Sequence, residues 1–377
     1  MGGPAQQAAL LSGRRFFPER YETLLVHGQL APGEESAAYL AEREGARMLD
    51  LPDLVQPIHA RHDPVALGRL ARIIRRFRPH IVHTHTAKAG FLGRQAALLA
   101  GPRRPKLVHT FHGHVLEGYF GPNKSKLYRG LERALGKRTD QLIGVSEATV
   151  SDLVRLGVAE RERFRVVPLG LDLGRFADRE EELRETVRKE LGLRDDQVLC
   201  TFVGRVVPIK QLDLLLNAIA EAREQNQRVR LMIVGDGEQR PQLEALAERL
   251  GIGSAVRFAG YRSDLVSVWA ASDIAVLSSA NEGTPVSLIE AAAAGVPAVA
   301  TDVGGVRETL APGSGAIVPA ADPASLAAGI LGLASDPERR CRCGRVAQAH
   351  ALGRFDAERL LDDIDRLYRE LLNPGSR

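Results

Sequence analysis

Two glutamates, Glu282 and Glu290, stand eight positions apart in the stretch NEGTPVSLIEAAAAGVPAVATDVGG that begins at Asn281. Pro285 suits the first turn of a helix, so a helix is expected to begin there. The preceding Glu-Gly-Thr then leaves unpaired backbone N–H groups at the helix start, a natural seat for an anion. Glu282 falls on the loop, and Glu290 about a turn and a half into the helix. A carboxylate is a good bidentate acceptor for vicinal hydroxyls. Two of them could hold two polyols on either side of a phosphate seated at the helix end, which is the layout of a sugar nucleotide. The plain alternative is an ordinary carboxylate favoured by the positive end of a helix. The two glutamates by themselves favour that alternative.

A second group of charged residues lies upstream. In VGRVVPIKQLDLLLNAI, Arg205 follows a strand-like run and Lys210 opens a helix after a proline loop. Two cations and a helix N-terminus make a site for a diphosphate. A solvated surface pair explains the pattern equally well. In IVGDGEQR, Gly235 and Gly237 end a strand, which suits a nucleotide loop and equally any tight strand–helix turn. His83, His85, His109, His112 and His114 cluster at two strand ends and raise the question of zinc. The alternation of side chains along a strand is expected to separate them. His85 and His114 are read as cleft-lining or structural.

The elements that must carry these residues alternate. The first half offers YETLLVHG, ARMLDL, HIVHTHT, KLVHTFHG, QLIGVS and FRVVPLG as strands, with helical patterns between them. The second half offers VLCTFVGR, RLMIVGDG, AVRFAGY, IAVLSS, VPAVATDV and GAIVPA. Short, nearly continuous apolar strands separated by helices imply parallel sheets covered on both faces, hence a doubly wound α/β fold formed twice. A charged helical connector at about 172–196 marks the expected boundary. The expected domains are 1–172, 173–355, and a last helix, 356–377, that crosses back to the first. Ligands of such sheets sit beyond the carboxyl ends of the strands. Two facing domains would make a cleft, and the loops named above all fall at strand ends.

Composition narrows the class. The chain has 377 residues, 44% hydrophobic and 26% charged, as in a soluble globular protein. It has no run of about eighteen apolar residues and no secretory signal pattern. Three cysteines, Cys200, Cys341 and Cys343, do not suggest a disulfide framework, and nothing beside Cys341-Arg342-Cys343 completes a zinc site. A reducing, cytoplasmic location is expected. Residues 1–175 hold 27 Lys+Arg against 17 Asp+Glu, whereas the remainder holds 24 against 30. A basic half beside an acidic half suggests that one half faces something anionic. The basic residues are not interleaved with aromatics, which total 5%, so nucleic acid is a poor partner.

Taken together, HTHTAKAG, VHTFHGH, IGVSEAT, VVPLGLDLGRF, FVGRVVPIK, LMIVGDGE, VRFAGYRSDL, ASDIAVLSS and the opening stretch resemble the retaining glycosyltransferases of family 4, in family order from about residue 80 to 310. The resemblance implies a GT-B fold, two facing Rossmann-like domains, with acceptor binding in the first and nucleotide-sugar binding in the second. It implies that Glu282 contacts donor-sugar hydroxyls, that Glu290 holds the ribose, and that the backbone of Gly283, Thr284, Pro285 and Val286 meets sugar and phosphates. Arg205 and Lys210 would clamp the diphosphate as leaving group. Tyr261 and Arg262 would lie beside the base, with Gly2, Gly3 and Gly235 in donor-binding loops. His112 would be the first-domain active-site histidine. No metal is implied, and a UDP-sugar is the favoured donor. The acceptor would be a glycan or lipid-linked sugar of cell-envelope or exopolysaccharide synthesis.

Two departures stand out. Relatives begin with a strand before the Gly-Gly loop, whereas Met1 directly precedes Gly2, so the first strand is expected to be missing. The family's Asn after Pro168 is Leu169 here. The basic amphipathic segment GPNKSKLYRGLERALGKRTD aligns Leu127, Leu131 and Leu135 in one stripe and Lys126, Arg129, Arg133 and Lys137 in another. Together with Arg69, Arg72, Arg75, Arg76 and Arg78, it raises peripheral contact with anionic lipid as an expectation, against a solvated face whose leucines meet the sheet. Two other readings stay open: a GT-B sugar-nucleotide epimerase, and a donor-binding GT-B protein that needs a partner for activity.

Overall fold

The structure is a computed structural model that describes residues 3–29, 38–55, 58–101, 104–113, 122–177 and 181–373. All twelve expected strand runs form strands. The chain divides into two compact units, residues 1–171 with 357–377, and residues 172–356.

The first unit contains β1 (Leu25–Gln29), β2 (Met48–Val55), β3 (Ile81–His85), β4 (Lys106–Phe111), β5 (Gln141–Gly144) and β6 (Phe164–Val166). Its helices are α1 (Gly3–Ser12), α2 (Ala38–Arg43), α3 (His62–Phe77), α4 (Ala87–Leu98), α5 (Pro122–Gly136) and α6 (Glu147–Arg155). In the second unit lie α7 (Gly174–Ala177), α8 (Glu181–Glu190), α9 (Leu212–Gln225), α10 (Arg240–Arg249), α11 (Leu265–Ala271), α12 (Val286–Ala293), α13 (Val306–Thr309), α14 (Pro323–Ala334) and α15 (Pro337–Phe355). Its strands are β7 (Val198–Val203), β8 (Val229–Val234), β9 (Val256–Gly260), β10 (Ile274–Leu277), β11 (Ala298–Thr301) and β12 (Gly315–Val318). The last helix, α16 (Ala357–Leu372), belongs to the first unit.

The second unit is one parallel six-stranded sheet in the order β12-β11-β10-β7-β8-β9. Strands β10 and β11 are buried at every position, as strands covered on both faces must be. The strand order reverses between β7 and β10. That reversal is the switch point of a doubly wound sheet, where a crevice opens beyond the carboxyl ends.

The parallel sheet of the first unit comes in two pieces, β1-β2 and β3-β4-β5-β6. Among the described residues β1 pairs only with β2, and β3 has only β4 beside it. No strand that would pair with both β1 and β3 is among the described residues. The pieces still share one helix layer. Val26 of β1 and Val82 of β3 pack on the same core as Leu70 and Ile74 of α3 and Leu92 of α4. On the other face, Leu10 and Leu11 of α1 and Phe16 join Val108, Ile143 and the apolar stripe Leu360, Leu361, Ile364, Leu367 and Tyr368 of α16.

The charged segment expected as a connector is packed into the second unit. Arg184 and Arg188 of α8 both grip Asp273, at 2.8 and 3.0 Å, and Asp273 also accepts the Leu199 N–H at 2.8 Å. Burial opposes ionisation of Asp273, yet Arg184, the Leu199 N–H and Arg188 together hold its carboxyl below the usual range. The leucine stripe of α5 is also divided. Leu135 is buried, whereas Leu127 is 60% exposed.

Candidate active site

Two loops meet at the switch point of the second unit. One leaves β7 and runs through Gly204, Arg205 and a short turn, Pro208–Lys210, into α9. The other leaves β10 through Ser278 and Glu282 to α12. Backbone bonds lock them together: the Ala280 N–H donates to the Ile209 carbonyl at 2.9 Å, and the Ser278 hydroxyl to the Lys210 carbonyl at 2.8 Å. Lys210 Nζ thereby reaches Glu282 Oε1 at 2.5 Å, and the Ser279 hydroxyl donates to the same oxygen at 2.6 Å. Arg205 is exposed and has no ion pair among the described residues.

Helix α12 begins at Val286 behind Pro285, as the sequence implied. Its N-cap residue, Pro285, makes no side-chain cap bond, and uncapped N–H groups at a helix start suit an anion. Thr284 Oγ1 is buried beside it with no hydrogen-bond partner among the described residues. Glu290, the fifth residue of α12, is 5% exposed. Burial pushes its carboxyl up to about 7, against the lowering charge of Arg175. The buried indole N–H of Trp269 has no hydrogen-bond partner of ordinary geometry among the described residues, yet from alongside it also favours the charged form.

Glycines explain how the loops come so close. Gly235 has φ +129°, and a Cβ there would sit 1.9 Å from the Gly204 carbonyl oxygen. Gly304 has φ +49°, and its Cβ would lie within 1.7 Å of the Glu282 carbonyl oxygen. The next residue, Gly305, donates its N–H to Gly283 at 2.9 Å. The Val303–Gly305 loop is thus a backbone support for Glu282 and Gly283.

Tyr261 is half exposed, at the end of β9. The Arg262 guanidinium is engaged by Asp264 at 2.7 Å and Glu190 at 2.9 Å. The Asp264 bond, together with Glu190, raises its pKa further. Its side chain is a structural clamp between loop and α8, which leaves only its backbone for a ligand. Gly3 opens α1 and is buried; Gly2 and His114 lie outside the described residues.

The histidines of the first unit correct the expectation that strand alternation would part them. His83 and His85 are two positions apart, so they share a face, and their rings stack at 4.4 Å. His112, just beyond β4, joins them through an Nε2 to His85 Nδ1 distance of 3.0 Å. His109 alone points away, to the Thr84 hydroxyl at 2.8 Å. Burial depresses all four, His85 to about 4, so all are neutral at pH 7. Among the described residues no three His, Cys, Asp or Glu side chains converge as a metal site.

Sequence reasoning missed Ser279, Gly304, Trp269 and Arg175. Ser279 had a readable signal, a hydroxyl three residues before the loop glutamate. The others depend on contacts between distant segments.

Two family models cover the chain in succession, Glycosyltransferase Family 4 over residues 19–175 and Glycosyl transferases group 1 over residues 184–350. The D-inositol 3-phosphate glycosyltransferase of Segniliparus rotundus is 32% identical over 312 residues, covering 80% of this chain and 68% of its own. The chain belongs to the family 4, group 1 glycosyltransferases. Another member, the UDP-Gal:alpha-D-GlcNAc-diphosphoundecaprenol alpha-1,3-galactosyltransferase of Escherichia coli, is 30% identical over 267 residues, 70% of this chain and 68% of that one. Among solved structures, Anabaena HepE in complex with UDP-glucose matches with a TM-score of 0.82 at 22% identity, over 98% of this chain and 96% of HepE. The fold is accordingly GT-B. The family 4 assignment makes the protein a glycosyltransferase of the hexosyltransferase type that uses a nucleotide-sugar donor.

Proposed function

We propose that the chain is a retaining glycosyltransferase that moves a hexose or N-acetylhexosamine from a UDP-sugar to a glycan or lipid-linked acceptor of envelope or exopolysaccharide synthesis. The observation that carries the donor site is the meeting of Lys210 and Glu282 at the switch point of the second unit, at the open N-terminus of α12, with Glu290 one turn further on. In this reading Glu290 accepts the ribose hydroxyls and Glu282 those of the sugar. Arg205, Lys210 and the α12 N–H groups meet the diphosphate. Gly235 and the Tyr261–Arg262 backbone lie toward the base. The relatives support UDP as the nucleotide and a lipid-linked or envelope sugar as the acceptor class.

The chemistry follows from charge. The bond from the anomeric carbon to the diphosphate breaks as negative charge gathers on the leaving oxygen, which Arg205 and Lys210 stabilise. The acceptor oxygen attacks from the face the diphosphate leaves, and a leaving phosphate oxygen takes its proton. His112 is the first unit's group for the reacting sugar, and the first unit carries the acceptor.

Peripheral contact with anionic lipid is part of the proposal. Among the described residues no helix is long and apolar enough to cross a membrane. Helix α5 does expose Leu127 next to Lys126, with Arg133 and Lys137 on the same accessible surface. Failure to sediment with anionic liposomes at physiological salt would remove this part.

Calorimetric titration with UDP and GDP, on the wild type, Lys210→Ala and Glu290→Ala, tests the donor site. UDP binding by the wild type, weakened at least about tenfold in both variants, is the expected result. No binding of either nucleotide by folded wild type overturns the reading.

A further inference from the structure

We propose that His85 is a positioning residue for His112: it fixes which ring nitrogen of His112 carries the proton and leaves His112 Nδ1 as the atom offered to a ligand hydroxyl. The inference rests on the reading of His112 as the first unit's active-site histidine.

The geometry begins with His83. Its Nδ1 meets the Tyr368 hydroxyl and its Nε2 the Thr110 hydroxyl, both at 2.7 Å. Both ring nitrogens are taken, so this ring cannot turn. The position of Tyr368 is set in turn by the α16 stripe packed against Val108 and Ile143. His85 stacks on the fixed ring at 4.4 Å, and its Nδ1 faces His112 Nε2 at 3.0 Å. Between two neutral imidazoles only one proton fits on that line. If His85 donates, His112 carries its proton on Nδ1; if His112 donates, its Nδ1 is a lone pair. Either way the two rings are coupled, and the tautomer of His112 is set by the one His85 holds. Its Nδ1 is buried and has no hydrogen-bond partner among the described residues. A buried ring nitrogen left unpaired is costly, and a hydroxyl can satisfy it in either tautomer, because it both donates and accepts. A polyhydroxylated ligand is therefore the matching chemistry.

The test is 15N NMR on the full chain with labelled histidine, the His112 signals being identified by their loss in His112→Gln. The wild type should show His112 as a single neutral tautomer, with its two nitrogen signals widely separated. In His85→Phe, which keeps a ring but no polar atom, the two signals should collapse towards an average. His85→Asn, whose amide can both donate and accept near the place of Nδ1, should restore the separation. Averaged signals in the wild type, or unchanged ones in His85→Phe, overturn the proposal, as does His85→Asn behaving like His85→Phe. Should His85→Phe not fold, the wild-type and His85→Asn spectra still decide. UDP calorimetry on the same samples separates the two readings. A wild type that does not bind UDP overturns the proposed function. A wild type that binds UDP but has a His112 spectrum insensitive to residue 85 overturns only the role of His85.

Discussion

Lys210 Nζ and Ser279 Oγ converge on a single oxygen of Glu282, at 2.5 and 2.6 Å. The cation assigned to the diphosphate is thus held by the carboxylate assigned to the sugar. A diphosphate at Lys210 would compete with Glu282 for its ammonium, and the partly buried pair would set how strongly.

Lys210→Ala removes a charge-assisted bond to phosphate, worth about 1.5–3 kcal/mol. UDP affinity should fall roughly 10- to 100-fold. Glu282→Gln frees Lys210 instead, so UDP should bind at least as tightly as to the wild type while sugar transfer is lost. Calorimetry on the two variants, paired with a turnover assay, checks both. Equal losses of UDP affinity in both would contradict the competition.

Glu290 gives a pH dependence with a definite sign. Its carboxyl stands at about 7 in the fold because it is buried. The charged form is the better acceptor for ribose hydroxyls, so UDP affinity should rise with pH through about 7 and then level off. Linkage acts on stability in the opposite direction. The folded pKa exceeds the ordinary 4.5, so the folded state holds the proton longer and stability falls as pH rises from 4.5 through about 7. Glu290→Gln should therefore flatten the pH profile of UDP binding. It should also raise Tm at pH 8 but not at pH 4.5.

Trp269 is the chain's single tryptophan, buried and alongside Glu290. Its fluorescence should change on UDP titration and saturate with the calorimetric Kd. In Glu290→Ala the change should vanish. A Trp269 signal indifferent to UDP in a protein that binds UDP would place the nucleotide elsewhere.

Asp273 ties α8 to the sheet through two arginines, one of them 8% exposed. Removing one partner of a buried pair costs about 3–5 kcal/mol, because the other charges stay buried. Asp273→Ala should lower the unfolding free energy of the second unit by about that much. Arg262→Ala, at a partly exposed clamp, should cost under about 1 kcal/mol. The two denaturation curves decide.

Gly304→Ala places a methyl against the Glu282 carbonyl in a backbone conformation that alanine rarely adopts. UDP binding should drop at least about tenfold while far-UV circular dichroism stays native. Full-strength binding would show that the Val303–Gly305 loop does not set the position of Glu282.

The sequence made the strands legible because each is a short apolar run between turn residues, and β10 and β11 are buried on both faces. Glu282, Arg205 and Lys210 were placed for a different reason: their spacing from a proline and a glycine loop puts them at strand and helix ends, with Glu290 one turn inside α12. What could not be read was side-chain engagement. Arg262 resembled a free ligand residue, but Glu190, more than seventy positions upstream, holds it. His83 and His85 were expected to part, although a spacing of two on a strand puts both on one face. Trp269 acquires a role only once α11 has been folded beside α12.

The divided sheet of the first unit bears on how this protein comes apart. Strands β1 and β2 are joined to β3–β6 by no ladder among the described residues, only by side chains packed on shared helices. Among the described residues no backbone ladder carries cooperativity across that seam, so the β1–β2 pair can open as a separate foldon. Its amides should exchange with solvent at a lower free energy than those of β3–β6, so the half-sheet detaches before the histidine-bearing strands lose protection.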